Sequence, residues 1–293
     1  MPRSFAALTI ALYFFGSYAL AREPAMMWVA EGRQNTVYLL GSIHLLRQHD
    51  YPLPAAIDLV YDAVDALVME LDMDDLDYIE VIATMRELGV MDEAERLQEL
   101  LGEELHAQAE AAAEATDIPL ELLQDSEPWL AAITVQELLA MRVGFVGELG
   151  IENYLGDKAR ADGKPILGLE TITEQLGFLD GLPMRAQSEW LVHSLVDGLR
   201  IEMLVDQLVV AWRSGDVGYL ERELIHEARM SPEVHDAVLL QRNRSWIDKI
   251  VDLMDDDRDY LVVVGAAHLV GDDGLVELLA ERDIPVSRLG ISQ

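Results

Sequence analysis

The sequence predicts an α/β protein, with a central mixed sheet flanked by helices. Two observations support this prediction. Short apolar runs of strand length recur along the chain, and long segments of helical periodicity separate them. Two of these runs, Val37–Leu40 and Leu261–Val264, are followed by the same pattern, Gly-x-x-His. A histidine just beyond a buried strand lies at the edge of the sheet, where α/β proteins usually bind their ligands.

The predicted strands are short, apolar and bounded by turn residues. They are Met27–Ala30, Thr36–Leu40, Leu67–Leu71, Pro165–Glu170, Leu261–Val264 and Ile284–Arg288. Helical spacing of apolar residues begins near Pro54, fills most of 74–155 and 172–254, and returns over 272–281. We interpret the two long helical segments as insertions between core strands. Because no low-complexity linker separates these segments, we expect a single domain over 22–293.

Each half of the chain has one strand that ends in Gly-x-x-His and one that ends in Glu, and the order of the two is reversed in the second half. In the first half of the chain, the Gly-x-x-His pattern ends at His44 and a strand ending in Glu70 follows. In the second half, a strand ending in Glu170 precedes the Gly-x-x-His that ends at His268. This order predicts two structurally related halves that contribute to one sheet, with the helical segments inserted between their strands.

Residues 1–21 have the features of a secretory signal peptide. Arg3 supplies the positive charge, Phe5–Leu20 is an apolar stretch of 16 residues, and Ala19–Ala21 fits a cleavage site. An uncleaved membrane anchor is the alternative, but a spanning helix needs roughly 20 apolar residues. We therefore expect cleavage after Ala21, a periplasmic or secreted location, and no membrane span in the mature chain.

Charge and cysteine content exclude several classes of function. The chain has 54 acidic and 21 basic residues, a formal net charge of −33, and no cysteine. Such a negative surface repels the phosphate backbone, so we exclude nucleic acid as a partner. The absence of cysteine excludes a disulfide scaffold and a thiolate metal site. The composition makes no prediction about oligomeric state.

Four side chains at the predicted strand ends have the chemistry of a metal or acid–base site: His44, Glu70, Glu170 and His268. Imidazole nitrogens and carboxylate oxygens are ligands for Zn²⁺, Mn²⁺ and Co²⁺. A carboxylate that does not bind the metal is a candidate general base. The pattern alone leaves a structural alternative open, in which the histidines cap backbone groups and the glutamates cap helices. No Gly-x-Ser-x-Gly elbow and no phosphate-binding loop occurs in the sequence.

Five segments, in this order along the chain, resemble the TraB/PrgY/GumN family, which is related to the Tiki metalloproteases. The segments are Tyr38–His44, Met69–Asp72, Gly168–Thr171, Gln241–Asn243 and Val264–Gly271. A single Gly-x-x-His is weak evidence, whereas five ordered segments are fairly specific. The resemblance covers nearly all of the predicted mature chain and implies the fold class described above.

The resemblance also implies roles for particular residues. It implies that His44 and His268 are metal ligands and that Glu70 is a ligand or a general base. Arg242 would bind a carboxylate or stabilise an oxyanion. An ion pair with Glu170 is the alternative for this arginine. The complete set of implied site residues is Glu70, Glu170, Arg242, Asn243, His44 and His268, with Gly41 and Gly265 as backbone positions at the cofactor site.

These inferences predict a metal-dependent hydrolase, of the peptidase type that the resemblance implies. The expected cofactor is a divalent ion, Mn²⁺, Co²⁺ or Zn²⁺, and the expected partner is a peptide or another small substrate. Two alternatives remain open at this point. One is a non-catalytic protein that binds a peptide or a saccharide in the same cleft. The other is a metal-independent hydrolase that uses histidine and glutamate as acid and base.

Overall fold

The computed structural model describes residues 26–92, 95–225 and 231–290. The predicted signal peptide over 1–21 lies outside the described residues. Within these ranges the chain forms one six-stranded sheet flanked by helices, which confirms the predicted α/β class. No helix in the described ranges combines the length and the apolar character needed to cross a membrane.

The sheet is mixed, as predicted, and its strands occur in the order β4-β3-β5-β2-β1-β6. The strands are β1 (Met27–Glu31), β2 (Thr36–Ser42), β3 (Ala66–Met69), β4 (Ile166–Gly168), β5 (Tyr260–Gly265) and β6 (Val286–Arg288). The neighbours β4, β3, β5 and β2 are parallel to one another. The strand β1 pairs antiparallel with both β2 and β6. All six predicted strands are therefore present, with ends that differ by a few residues.

The four parallel strands come alternately from the two halves of the chain. The strands β2 and β3 belong to the first half, and β4 and β5 belong to the second. In the sheet, β3 lies between β4 and β5, and β5 lies between β3 and β2. The two halves therefore interleave, and neither half forms a separate part of the sheet.

Most of the remaining chain is helical, as the periodicity predicts. The helices are α1 (Ala55–Ala63), α2 (Tyr78–Gly89), α3 (Leu97–Thr116), α4 (Pro128–Arg142), α5 (Ile151–Asp162), α6 (Ile172–Asp180), α7 (Met184–Asp197), α8 (Ile201–Ser214), α9 (Val217–Leu220), α10 (Pro232–His235), α11 (Gln241–Leu253) and α12 (Leu275–Ala280). The helices α2 to α5 lie between β3 and β4, and α6 to α11 lie between β4 and β5. The long helical segments are thus insertions between the core strands.

The two larger apolar cores of the described residues hold these layers together. The larger core surrounds the sheet, and every residue of β5 is buried, as expected of a central parallel strand that is covered on both faces. A second core lies within the helical insertions, where α3, α4 and α7 pack against one another. Small residues of α3, such as Ala109 and Ala113, are buried in this second core beside Leu191 and Leu195 of α7. The sheet core is the one that positions the strand ends described next.

The central strand provides a test of this packing. Leu261 of β5 is fully buried between β2 and β3. We expect Leu261→Ala to lower the free energy of unfolding by about 2–5 kcal/mol, because the truncation loses apolar burial and leaves a cavity. The matched control is Leu122→Ala, at a side chain that is 77% exposed. Urea unfolding measures both variants, and equal losses in the two would contradict the assignment of β5 to the core.

Candidate functional site

The ends of the four parallel strands meet at one edge of the sheet. In the parallel register, Ser42 of β2 lies opposite Gly265 of β5, and Met69 of β3 lies opposite both Val263 of β5 and Gly168 of β4. Each strand end is followed within three residues by one of the predicted site residues: His44, Glu70, Glu170 and His268. The helix α11 adds Arg242 and Asn243 from its buried face. The structure thus brings all six predicted side chains into one cluster.

The guanidinium of Arg242 lies at the centre of this cluster. Its Nη2 donates to Glu70 Oε2 at 2.6 Å and to Glu170 Oε1 at 2.7 Å. Its Nε donates to Glu170 Oε1 at 3.0 Å. Its Nη1 donates to the carbonyl of Val238 at 3.2 Å and lies 3.2 Å from His268 Nε2. All five N–H groups of the guanidinium are therefore engaged by the protein. The ion pair with Glu170, one of the two roles considered for this arginine, is present.

Two side chains that the sequence did not indicate complete the surroundings of Glu170. Trp246 donates its indole N–H to Glu170 Oε2 at 2.9 Å, and Gln175 donates to Glu170 Oε1 at 3.0 Å. Trp246 also packs its ring against His268, with 4.5 Å between the ring centroids, and lies 4.6 Å from the guanidinium of Arg242. Burial raises the pKa of Glu170, and its bonds to Arg242 and Trp246 oppose that shift. Glu170 is therefore a buried anchor for the arginine.

Asn243 determines which ring nitrogen of His268 carries the proton. Its amide nitrogen donates to the carbonyls of His268 and Asp273, at 3.3 and 2.9 Å. The amide oxygen therefore faces His268 Nδ1, at 2.7 Å, and accepts its proton. This bond leaves Nε2 of His268 unprotonated, so that this nitrogen can accept the contact from Arg242 Nη1. Burial lowers the pKa of His268 to about 3, so the ring is neutral at pH 7.

His44 has a charged partner instead. Its Nδ1 lies 2.8 Å from Glu152 Oε1, and the hydroxyl of Ser42 donates to the same carboxylate oxygen. Glu152 lies in the first turn of α5, more than 100 residues from His44 in sequence, and no local pattern indicated it. The charge of Glu152 and its hydrogen bond to the ring raise the pKa of His44 above its ordinary value of 6.5. The imidazole is 60% exposed, so solvent screens this pair.

Gly265 keeps the space between these groups open. Its N–H donates to Glu70 Oε1 at 2.8 Å. A Cβ on this residue would lie 3.1 Å from His44 Nε2 and 3.4 Å from Glu70 Oε1. The φ of Gly265 is −49°, which other residues adopt, so glycine is needed here for space and not for its backbone conformation. Gly41 has a different role, because a Cβ there would lie 3.1 Å from Ala266 Cα, in the turn that follows β5.

Glu70 is held in its ionised form. Burial disfavours the carboxylate, but Arg242, the N–H of Gly265 and, at acidic pH where its ring is protonated, His268 favour it and lower the pKa of Glu70 to about 2. One oxygen bonds to Arg242, while the other faces Gly265 and lies 3.9 Å from His268 Nε2. Glu70 is therefore shared between the arginine and the histidine side of the cluster.

The donor types suit a divalent metal ion, although no complete ligand set is assembled. Within residues 26–92, 95–225 and 231–290, no group of three or more His, Cys, Asp or Glu side chains is arranged to hold a metal ion. The chemistry of the donors nevertheless fits, because both histidines have Nδ1 bound to an acceptor, as in metal sites where an outer carboxylate or carbonyl orients the ring. Arg242 already occupies one oxygen of Glu70 and Nε2 of His268.

The fold and the site define the class of this protein. It is an α/β protein whose parallel strands end at one edge with two Gly-x-x-His turns, two glutamates and an Arg-Asn pair. The model of the TraB/PrgY/gumN family matches residues 26–288, and the chain belongs to this family. No solved structure matches the chain.

Curated proteins from three bacteria match this chain at 25–26% sequence identity. The uncharacterized protein YbaP of Shigella flexneri is 26% identical over 256 residues, which cover 87% of this chain and 92% of that protein. YbaP of Escherichia coli strain K12 is 26% identical over 242 residues, which cover 83% of this chain and 87% of that protein. An uncharacterized protein of Treponema pallidum is 25% identical over 160 residues, which cover 55% of this chain and 48% of that protein. These names assign no activity.

The buried ion pairs predict a large cost for removing the arginine. We expect Arg242→Met to lower the free energy of unfolding by about 3–5 kcal/mol, because Glu70 and Glu170 remain buried without their counter-charge. Adding Glu170→Gln to this variant should restore part of the loss, since one buried charge is then removed. Arg244→Met is the matched control, on the same helix with a side chain 63% exposed. Urea unfolding measures all three. A loss in Arg242→Met no larger than in Arg244→Met would contradict this account.

The pKa values of the two motif histidines should be shifted in opposite directions from the ordinary value of 6.5. NMR titration of the metal-free protein should give a pKa above 6.5 for His44 and a pKa well below 6.5 for His268. Glu152→Gln should return the pKa of His44 toward 6.5, because the neighbouring charge is lost. The folded-state pKa of His44 is raised, so its contribution to stability is present below pH 6.5 and is lost as the pH rises through the folded-state pKa. Titration of His44 at 6.5 in both proteins would contradict the proposed pairing.

Proposed function

We propose that the protein is an exported metal-dependent hydrolase that cleaves peptide bonds, with a chemistry similar to that of the Tiki metalloproteases. One observation carries the proposal. The two Gly-x-x-His turns direct their histidines to the same cluster as Glu70, and each histidine has Nδ1 bound to an acceptor, so that Nε2 is the atom left for a ligand. His44, His268 and Glu70 would hold Mn²⁺, Co²⁺ or Zn²⁺.

Each side chain has a separate task in this proposal. A bound divalent ion supplies Lewis acidity, which lowers the pKa of a water molecule and polarises a substrate carbonyl. Glu70, whose pKa is about 2, is a poor proton acceptor at neutral pH and is better suited to be a ligand than a general base. Arg242 holds one oxygen of Glu70 and so directs the other toward Gly265. Asn243 keeps the proton of His268 on Nδ1.

Export is the second part of the proposal. It rests on the predicted signal peptide over 1–21, with its apolar stretch of 16 residues and its Ala19–Ala21 cleavage site. The absence of cysteine suits an exported chain that forms no disulfide. We therefore propose a location in the periplasm or outside the cell.

A metal-independent hydrolase is a second candidate, and one observation favours it. The environments of His44 and His268 shift their pKa values in opposite directions, upward for the first and downward for the second. A histidine whose pKa is raised carries a proton at neutral pH and can donate it, and a carboxylate is the partner that would accept a proton, so histidine and glutamate would act as acid and base. In this candidate His44 acts as the acid. Activity that persists in EDTA would distinguish it from the metal-dependent hydrolase.

Metal analysis and peptide cleavage test the leading proposal together. We expect the purified mature protein to retain about one equivalent of Mn²⁺, Co²⁺ or Zn²⁺ after dialysis and to cleave members of a peptide library. The double variant His44→Ala, His268→Ala should lose both properties, because two ligands are removed. The matched control is His106→Ala, His193→Ala, on helices of the insertions, which should keep both.

The other outcomes are equally informative. A protein that binds no metal and cleaves no peptide contradicts the proposal. Peptides that bind in EDTA and are recovered intact by mass spectrometry, with no cleavage under any condition, indicate the non-catalytic binding protein instead.

A further inference from the structure

The start of helix α5 carries a side chain with a role in the site. We propose that Glu152 is the positioning residue of His44: its carboxylate, anchored by Ser42, keeps the ring proton on Nδ1 and directs Nε2 toward Glu70. This inference rests on the proposed function only where it concerns metal affinity. The orientation of the ring is a property of the metal-free chain.

The local geometry supports an orienting role. The imidazole of His44 is 60% exposed, so packing alone restrains it weakly, whereas Glu152 is only 15% exposed. Glu152 Oε1 lies 2.8 Å from His44 Nδ1 and also accepts the hydroxyl proton of Ser42. A carboxylate that is itself fixed by a second donor restrains the ring more than a freely rotating one. The hydrogen bond from Nδ1 is therefore the main restraint on the direction of Nε2.

Backbone contacts hold the first turn of α5 against the turn that carries His44. Ile151 N donates to the carbonyl of Ile43 at 3.2 Å, which ties the first turn of α5 to the turn that carries His44. Gly150 makes this approach possible, because a Cβ there would lie 2.1 Å from the carbonyl oxygen of His44. Leu46 and Val146 add an isolated β-bridge between the flanking segments. The position of Glu152 is thus set by backbone contacts on both sides of the histidine.

A purely structural role is the competing explanation for Glu152. An acidic side chain in the first turn of a helix interacts favourably with the helix dipole, and this effect needs no contact with His44. That explanation does not account for the shared oxygen, on which Ser42 and His44 converge. The experiment must therefore read the state of the His44 ring and not only the stability of the helix.

The second histidine suggests the informative substitution. Asn243 holds Nδ1 of His268 through a neutral amide oxygen at 2.7 Å, in the position that the carboxylate of Glu152 takes beside His44. Glu152→Gln would give His44 a partner of the same kind, with an acceptor but no charge. Glu152→Ala would remove both the acceptor and the charge. Orientation and charge can therefore be separated with two variants.

The first readout is the tautomer of His44 in the metal-free protein. Long-range ¹H–¹⁵N NMR, recorded at a pH above the titration of His44, should place the proton on Nδ1 in the wild type and in Glu152→Gln. In Glu152→Ala the proton should move mainly to Nε2, the tautomer that a free histidine side chain prefers. Glu148→Ala, at an exposed side chain just before α5, is the control for effects on the helix start. An unchanged Nδ1 tautomer in Glu152→Ala would overturn the proposal.

The second readout is the affinity for Mn²⁺, measured by calorimetry on the same variants. Glu152→Ala should weaken binding about 10–100-fold, as the loss of outer-shell partners of metal-bound histidines does. Glu152→Gln should weaken it less, and Glu148→Ala should leave it within about twofold. If no variant binds Mn²⁺ but the tautomer changes as expected, the metal-dependent function fails while the role of Glu152 stands. If Glu152→Ala binds Mn²⁺ as tightly as the wild type does, Glu152 does not contribute to metal binding, and that part of the proposal is wrong.

Discussion

The buried guanidinium of Arg242 is the interaction on which the site depends. Two glutamates from neighbouring parallel strands point to the same place, and two carboxylates buried so close together cannot both remain ionised without a counter-charge. Arg242 supplies that charge with Nη2, which lies 2.6 Å from Glu70 and 2.7 Å from Glu170. Its Nε also donates to Glu170, and its Nη1 contacts the carbonyl of Val238 and His268 Nε2, so the guanidinium also fixes the second motif. Glu70, Glu170 and His268 keep their positions because this cation lies between them.

The twin Gly-x-x-His motifs do not form a symmetric site. Each histidine has its Nδ1 bound to an acceptor, but the acceptor is a carboxylate for His44 and an amide for His268. The first ring is more than half exposed, and the second is buried under Trp246. A charged partner and partial exposure favour the protonated ring, whereas burial beside Arg242 favours the neutral one. The same sequence pattern therefore produces two histidines with different acid–base behaviour.

The sequence predicted the parts of this arrangement that short, local patterns encode. Apolar runs revealed the strands, and the residue that follows each strand revealed His44, Glu70, Glu170 and His268, because strand ends define a sheet edge. Arg242 and Asn243 came from the family resemblance and not from any periodicity. Other residues could not be found in this way. Glu152, Trp246 and Gln175 lie in ordinary helical sequence, and only the packing of α5, α6 and α11 against the strand ends makes them part of the site.

Metal binding at the proposed site would require Arg242 to release some of its contacts. Two of the groups that would bind the ion, an oxygen of Glu70 and Nε2 of His268, are bonded to the guanidinium in this structure. An ion that used both would have to exchange these two contacts and come close to a positive charge. The arginine would still be held by Glu170, by the carbonyl of Val238 and by the face of Trp246. Exchange of these two contacts would therefore leave the bond from Nε of Arg242 to Glu170 in place. Glu170 thus acts on the proposed chemistry indirectly, because it determines whether Arg242 stays in place when Glu70 and His268 change partner.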